Sequence, residues 1–287
     1  MPACTKAFCP GHLSGYFRPV YSTDPRTTGS MGAGIVIREG VTARVCAADR
    51  TSVMVQRRDS SGSLLEEYRS SPPLEYMLER MGVTARVETV CRLPIGAGFG
   101  LSAAALLSSA VAVNAHFCLS LRPEECTMFA HQAEIVHRTG LGDVAACQGG
   151  GWDCRRSPGI PGEISRVFDP DTPVYAVVFG PLSSPVVLGS PEAMERVIRA
   201  FPGRCPEDTR DFFLLSREFS EKSGLITPQV RSALSLCDAE RIPATMTMLG
   251  NGVFACGEEA SPLLAPLGEV FRLEGAVRGV ELLEGPE

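Results

Sequence analysis

Glycine occupies every second position from Gly96 to Gly100, immediately before a long uncharged run that favours a helix. The preceding residues, 83–91, alternate between two faces, which predicts a half-exposed strand of an antiparallel sheet. A turn of this kind leaves backbone N–H groups uncovered at a helix start, where the helix dipole attracts anions. The segment 94–102 is therefore predicted to hold phosphate, with close packing of sheet and helix as the structural alternative.

Two other phosphate-binding patterns fit this turn poorly. A Walker A loop requires a lysine, and residues 94–105 contain none. A dinucleotide-binding turn has the spacing G-x-G-x-x-G after a parallel strand, whereas this turn has G-x-G-x-G after an alternating one. The hydroxyl of Ser102, at the predicted helix start, can reach a magnesium ion that bridges phosphates.

Composition limits the classes of function. A chain of 287 residues with 44% hydrophobic and 21% charged residues is expected to fold by itself, as one domain or two. The formal net charge of -6 does not provide the basic surface that nucleic acid requires. Eleven cysteines without a C-x-x-C pair argue against zinc and favour reduced thiols. No secretion signal is expected, so we expect a cytoplasmic location.

The run 101–121 is long and uncharged enough to raise the question of a membrane helix. It contains serines together with Asn114 and His116, has no basic flank and is rich in small residues that permit close helix packing. A buried central helix is the favoured interpretation, and no contact with a membrane is expected.

Elsewhere the pattern predicts strands and helices that alternate only in part. A hairpin is predicted over 33–56 with Gly40 between its strands, and a buried strand over 174–179. Helices are predicted at 74–81, 123–137, 191–200, 207–222 and 228–240, and two short strands within 268–284. Together these elements indicate an α+β protein in two halves, with a boundary near 163–172.

Three segments then resemble the motifs of the GHMP kinases, which include galactokinase, homoserine kinase and mevalonate kinase. Residues 94–104 read P-I-G-A-G-F-G-L-S-A-A and resemble the phosphate-binding motif. Residues 7–17, A-F-C-P-G-H-L-S-G-Y-F, resemble the first motif, and 248–255, M-L-G-N-G-V-F-A, resemble the third, whose glycines lie near the phosphate loop. The resemblance covers nearly the whole chain.

Within that superfamily, several stretches are most similar to the archaeal pantoate kinases. They are P-G-H-L-S-G-Y-F at 10–17, D-P-R-T-T-G-S-M-G-A-G at 24–34 and T-G-L-G-D-V at 139–144. The resemblance implies an enzyme that uses ATP and Mg2+ to phosphorylate the terminal hydroxyl of pantoate in coenzyme A synthesis. It also raises a homodimer as an assembly to be tested.

The resemblance implies a two-domain α+β fold. Residues 1–165 would form a mixed α/β nucleotide-binding domain that carries the glycine-rich phosphate loop. Residues 166–287 would form a ferredoxin-like α+β domain, and the substrate cleft would lie between the two.

Site residues follow from the same motifs. Ser102 and Glu134 would hold Mg2+, and Asp143 would be the catalytic carboxylate that accepts the proton of the substrate hydroxyl. The segment from Glu134 to Asp143 is about two residues shorter than in mevalonate-kinase-like members, a departure that bears on Asp143. Residues implied in nucleotide binding are Pro94, Gly96, Ala97, Gly98, Gly100, Leu101, Ser102 and Ala103.

A hydroxy-acid substrate also needs donors for its carboxylate. Ser30, His131 and Arg155 are the candidates, with a purely structural role as the alternative for His131. His12 is expected to order the turn of the first motif, and Trp152 to serve packing.

Other functions stay open on the sequence alone. They are another GHMP kinase acting on a small alcohol, a homologue that uses the fold without ATP, a nucleotide-binding regulator without catalysis, and a nicotinamide-dependent dehydrogenase.

Overall fold

The computed structural model describes residues 4–169 and 172–285. The strands are β1 (Cys4–Val20), β2 (Gly29–Ala47), β3 (Ser52–Arg58), β4 (Leu64–Tyr68), β5 (Ala85–Cys91), β6 (Trp152–Arg155), β7 (Ile164–Val167), β8 (Val174–Val178), β9 (Ala244–Met246), β10 (Gly252–Cys256), β11 (Val270–Leu273) and β12 (Glu281–Glu284). The helices are α1 (Pro72–Arg80), α2 (Leu101–His116), α3 (Pro123–His137), α4 (Asp143–Cys147), α5 (Ser184–Leu188), α6 (Pro191–Ala200), α7 (Thr209–Ser223), α8 (Pro228–Ala239) and α9 (Ala260–Leu264), followed by a 3-10 turn at Ala265–Leu267.

The first sheet contains eight strands, in the order β12-β1-β2-β5-β3-β4, with β6 paired to β2 and β7 paired to β6. Its main feature is the long antiparallel pair β1 and β2, whose register shifts between Pro10 and Gly11. Beyond that shift β2 changes partner, because residues 41–47 pair with β5 and residues 32–35 pair with β6. One long bent strand therefore pairs with β6 through its first part and with β5 through its last part.

The predicted hairpin at Gly40 is wrong. Gly40 lies inside β2, opposite the irregularity in β1, and a Cβ at this position would lie 2.0 Å from the carbonyl oxygen of Cys9. The chain reverses instead between β1 and β2, over residues 21–28. Alternation of side chains is the same in a bent strand and in two paired strands, so the pattern alone cannot place the reversal.

The uncharged run after the glycine turn is a buried helix, as predicted. Helix α2 ends at His116 and packs between β1 and β2 on one side and α3 on the other. Small residues at its buried positions allow this close approach on two sides. Among the residues described, no helix is long and apolar enough to cross a membrane.

The second sheet is a four-stranded antiparallel sheet in the order β11-β8-β10-β9. In chain order its elements are one strand, four helices, two strands, a helix and a last strand, which is the β-α-β-β-α-β arrangement of ferredoxin-like domains. The predicted ferredoxin-like half is confirmed. The three predicted helices of this half correspond to α6, α7 and α8.

The end of the chain returns to the first sheet. Strand β12 pairs antiparallel with β1, and Ile37 of β2 forms an isolated bridge with Gly275. The division into residues 1–165 and 166–287 stays a prediction, and this return of the last strand ties the two halves together.

Four of the eleven cysteines form disulfides, so the prediction of fully reduced thiols is wrong for them. Cys4 is opposite Cys46 in the register of β1 and β2, with the Cα atoms 4.5 Å apart. Cys154 of β6 reaches Cys205 in the loop before α7, which links the two halves. The first disulfide depends on strand register and the second on packing of the two halves. Neither can be inferred from the spacing of cysteines along the sequence.

Candidate active site

The glycine turn adopts backbone conformations that side chains disfavour. Gly96, Gly98 and Gly100 have φ angles of 75°, 85° and 63°, and Gly100 is the residue before the first turn of α2. All three lie in the left-handed region that glycine reaches without steric cost. Within the described part of the chain no side chain caps the start of α2, so its first amides are available to a ligand. Ser102 is exposed on this first turn.

All three motif segments meet at this turn. The backbone N–H of His12 donates to the carbonyl oxygen of Phe99 at 2.9 Å. A Cβ at Gly250, in the third segment, would lie 2.2 Å from the carbonyl oxygen of Ala97, and a Cβ at Gly98 would lie 2.9 Å from that of Met248. The expectation that the glycines of the third motif lie near the phosphate loop is confirmed.

A cleft of about 300 Å3 runs along the turn. Its lining includes the polar side chains of Ser102, Ser14 and Asp143 together with the glycines of the turn. It also includes the apolar side chains of Val41, Val55, Leu74, Ile95 and Leu106. The cleft therefore combines a glycine turn suited to anions and a carboxylate with apolar surface that suits a flat ring.

A chain of charged groups extends from Asp143 into the protein. Nδ1 of His12 lies 2.6 Å from Oδ1 of Asp143, and Nε2 of His12 lies 2.7 Å from Oδ1 of Asp153. Arg155 donates from Nη1 to the other oxygen of Asp153. His12, Asp153 and Arg155 are buried, whereas about a fifth of the Asp143 side chain (21%) is exposed to the cleft.

The charges in this chain are mutually dependent. Burial disfavours the charged form of His12, but the charge of Asp153 and the hydrogen bonds with both carboxylates raise the pKa of His12 to about 10. Burial acts against ionisation of Asp153, yet Arg155 and His12 keep its pKa well below the usual range. Burial also opposes ionisation of Asp143, but the hydrogen bond and the charge of His12 lower its pKa. At neutral pH a positive imidazole thus lies between two carboxylates.

Glu134 is buried on α3 and turned towards the same region. Burial and the nearby charge of Asp143 raise its pKa. A Cβ at Gly140 would lie 2.4 Å from Oε1 of Glu134 and 3.1 Å from Oδ2 of Asp143, so only the space of a missing side chain separates the two carboxylates. Oε2 of Glu134 has no hydrogen-bond partner among the described residues and lies 3.4 Å from Nδ1 of His131. A carboxylate oxygen left without a donor fits a cation ligand.

Two of the three predicted substrate residues lie together, beside Gly142. A Cβ at Gly142 would lie 2.4 Å from Oγ of Ser30 and 2.9 Å from Nε of Arg155, and this Nε has no hydrogen-bond partner in the part of the chain that the structure describes. Ser30 also lines a small cavity of about 20 Å3 next to Asp143. The fully buried His131 contacts other groups: its Nε2 is 2.8 Å from the carbonyl oxygen of Thr28, and its Nδ1 is 3.4 Å from Oε2 of Glu134.

The sequence alone underrates two residues of this site. It predicts for His12 only the ordering of a turn, and it assigns no role to Asp153. The available signals are weak: His12 lies inside the first motif, and Asp153 lies two residues after a run of three glycines. The side chain of Trp152 is buried against Phe212 and Phe213, in agreement with its expected packing role.

Known proteins resemble this chain in sequence and in fold. Residues 72–151 match the family described as GHMP kinases N terminal domain. A solved structure described as a phosphotransferase related to the CoA biosynthesis pathway has a TM-score of 0.81, with 26% identity over 98% of this chain and 99% of its own. A mevalonate-3-kinase from Thermoplasma acidophilum has a TM-score of 0.69 over the full length of both chains at 16% identity, which shows the fold alone.

These matches, together with the glycine turn and the ferredoxin-like second half, show the fold of the GHMP kinases. Pantoate kinase from Methanospirillum hungatei is 47% identical over 97% of this chain and 96% of its own length. Pantoate kinase from Thermococcus kodakarensis is 30% identical over 91% of this chain and 92% of its own length. The chain belongs to the pantoate kinase family.

Proposed function

We propose that this protein transfers the γ-phosphoryl group of ATP to the terminal hydroxyl of (R)-pantoate, which forms (R)-4-phosphopantoate and ADP for coenzyme A synthesis. The observation that carries the proposal is that the phosphate-binding turn and Asp143 face one cleft in a chain 47% identical to a pantoate kinase. A cytoplasmic location and a homodimer belong to the same proposal.

The turn and Asp143 have separate tasks. The first amides of α2 and the hydroxyl of Ser102 would bind the phosphates, while the apolar residues of the cleft lining would contact the adenine ring. The hydroxyl oxygen of pantoate then forms a bond to the γ-phosphorus, the bond from that phosphorus to the bridging oxygen breaks, and ADP leaves with the electron pair. The hydroxyl proton passes to Asp143.

Mg2+ is the other part of this proposal. Among the residues described there is no group of three or more His, Cys, Asp or Glu that could hold a metal ion. Glu134, with an oxygen that lacks a donor, and the exposed hydroxyl of Ser102 are suitable ligands if the phosphates of ATP supply others. When bound, the ion would neutralise charge on the phosphates.

Ser30 and Arg155 are proposed to bind the carboxylate of pantoate, since a hydroxyl and an unpartnered guanidinium nitrogen flank Gly142 next to Asp143. His131 would act on substrate only indirectly, through its contacts with Thr28 and Glu134.

The test is formation of ADP by the purified protein with Mg2+ and ATP, with pantoate compared against homoserine, mevalonate and shikimate. We expect ADP to depend on pantoate and the phosphorylated product to be 4-phosphopantoate by mass and NMR. Turnover with another alcohol but not with pantoate would refute the substrate, and ATP binding without any turnover would indicate a nucleotide-binding regulator.

A further inference from the structure

His12 occupies a position in which both of its ring nitrogens face a carboxylate. The two N···O distances are 2.6 and 2.7 Å, and the side chain is fully buried. A neutral imidazole has one N–H and could donate to only one of these carboxylates. The other nitrogen would then present a lone pair to a carboxylate oxygen at short range, unless that carboxyl group carried the proton. Arg155 beside Asp153 and the lowered pKa values of both carboxyl groups disfavour a protonated carboxyl, so the geometry favours the doubly protonated ring.

We propose that His12 is a positioning residue, which holds Asp143 as a carboxylate in one orientation, and that Asp153 anchors His12 for this task. The part of the proposal that concerns turnover rests on the proposed function. The part that concerns the state of the ring does not.

Among the described residues, hydrogen bonds hold Asp143 through one of its carboxylate oxygens, Oδ1. Oδ1 accepts from His12, and the hydroxyl of Ser14 donates to the same atom at 3.3 Å. Oδ2 receives no hydrogen bond from any side chain or amide in the ranges 4–169 and 172–285. This division leaves one carboxylate oxygen to accept a hydrogen bond from a substrate hydroxyl, while the other fixes the plane of the carboxylate.

Asp153 is fixed from the side opposite to the cleft. Arg155 pairs with it, and strand β6 is held against β2 by the register pair of Gly34 with Asp153. A Cβ at Gly34 would lie 2.2 Å from Nε2 of His12, so the absence of a side chain at this position gives the imidazole its place. The Asp153 side chain is not exposed to the cleft, so it can hold His12 in place but cannot contact substrate.

The charge balance around the imidazole depends on its protonation. If His12 were neutral, no imidazolium charge would lie between Asp143 and Asp153, and the ring could donate a hydrogen bond to only one of the two carboxylates. The titratable and charged groups that interact with His12 or with its carboxylate partners are Asp143 and Cys147 on α4, Asp153 and Arg155 on β6, Arg166 on β7, Glu134 on α3 and Cys9 on β1.

The first experiment measures the protonation state of the His12 imidazole in the protein without substrate. The chain has four histidines, so 15N NMR of the imidazole nitrogens is simple, and the spectrum of His12→Gln identifies the signal that disappears. At about pH 8, where an ordinary histidine is neutral, we expect both nitrogens of His12 to be protonated. One protonated and one unprotonated nitrogen at that pH would overturn the proposal, whether or not the protein phosphorylates pantoate.

The second experiment measures kinetics of His12→Gln and Asp153→Asn. We expect kcat to fall about 100-fold in His12→Gln, as for a misplaced catalytic group, with KM for ATP within about threefold of wild type. The acid limb of kcat should move to higher pH, because Asp143 loses the neighbouring charge that favours its carboxylate form. Asp153→Asn should show a smaller loss of kcat in the same direction.

The matched control is His116→Gln. His116 also bonds one side chain of β1, with Nδ1 3.1 Å from Oγ1 of Thr5, and it does not line the cleft. This variant should keep kcat and its pH profile. His12→Gln with kcat within about threefold of wild type and an unmoved acid limb would overturn the positioning role. A wild-type protein without pantoate-dependent turnover would instead refute the proposed function, and the NMR result would still decide the state of the ring.

Discussion

Gly98→Ala tests the phosphate-binding turn by adding one methyl group. Gly98 has φ +85°, and the new Cβ would lie 2.9 Å from the carbonyl oxygen of Met248 and 3.0 Å from Cβ of Thr247. The substitution is expected to destabilise the turn in two ways. Alanine disfavours the left-handed backbone conformation, and its methyl group crowds the third motif segment. The contact is with backbone as well as side chain, so rotation of one side chain cannot relieve it.

Gly62→Ala is the control that separates the two costs. Gly62 has φ +87°, a Cβ added there would meet no described atom within 4 Å, and Gly62 does not line the cleft. A left-handed alanine costs about 1–2 kcal/mol, and this is the whole effect expected for Gly62→Ala. Gly98→Ala carries the same cost plus about 1–3 kcal/mol for overpacking.

The assay is steady-state ADP formation over a range of ATP concentrations, together with urea unfolding of both variants. A total cost of about 3 kcal/mol on the binding conformation of the turn corresponds to about a 100-fold loss of kcat/KM for ATP. Gly62→Ala should keep kcat/KM while it loses stability. If the two variants have kcat/KM values within about twofold of each other, the packing of the third motif against the turn does not support nucleotide binding.

Three further predictions concern charge, cysteines and metal. Because its two carboxylate partners raise the pKa of His12 from 6.5 to about 10, the stability that His12 contributes is complete below about pH 6.5 and is lost as the pH rises through about 10. The urea midpoint should therefore fall more between about pH 7 and 10 in wild type than in His12→Gln, and equal pH dependence in the two would contradict this. Under denaturing, non-reducing conditions a thiol reagent should count seven thiols, and eleven after reduction; eleven in both cases would exclude the two disulfides. Glu134→Gln should raise the Mg2+ concentration for half-maximal activity by about tenfold or more, since even residues that only support a metal ligand have effects of that size, whereas the exposed Glu124→Gln on the same helix should not change it.

The local elements of the fold could be predicted because their signals lie within a few residues. Alternating glycines predicted the turn before α2, and helical periodicity predicted α6, α7 and α8 close to their observed bounds. The conformation of such a glycine turn depends on its own backbone, so neighbouring sequence was enough. The buried nature of α2 followed from its small residues for the same reason.

Strand pairing could not be predicted in this way. The hairpin expected at Gly40 is a bend in one strand, because β1 runs along both of its arms and only the partner strand reveals this. The same limit explains the disulfides, since Cys4 meets Cys46 through strand register and Cys154 meets Cys205 through packing of the two halves. Each of these contacts joins residues more than 40 positions apart.

The sequence by itself indicated the class of reaction, since the glycine turn, Ser102 and Asp143 lie in short motif segments that resemble those of kinases. Tertiary structure alone decided how Asp143 is held. His12 lies 131 positions from Asp143 and 141 from Asp153, and the fold brings the three groups within hydrogen-bond distance in a buried place. Burial then makes the protonation of each group depend on the others, and such a dependence exists only once the chain has folded.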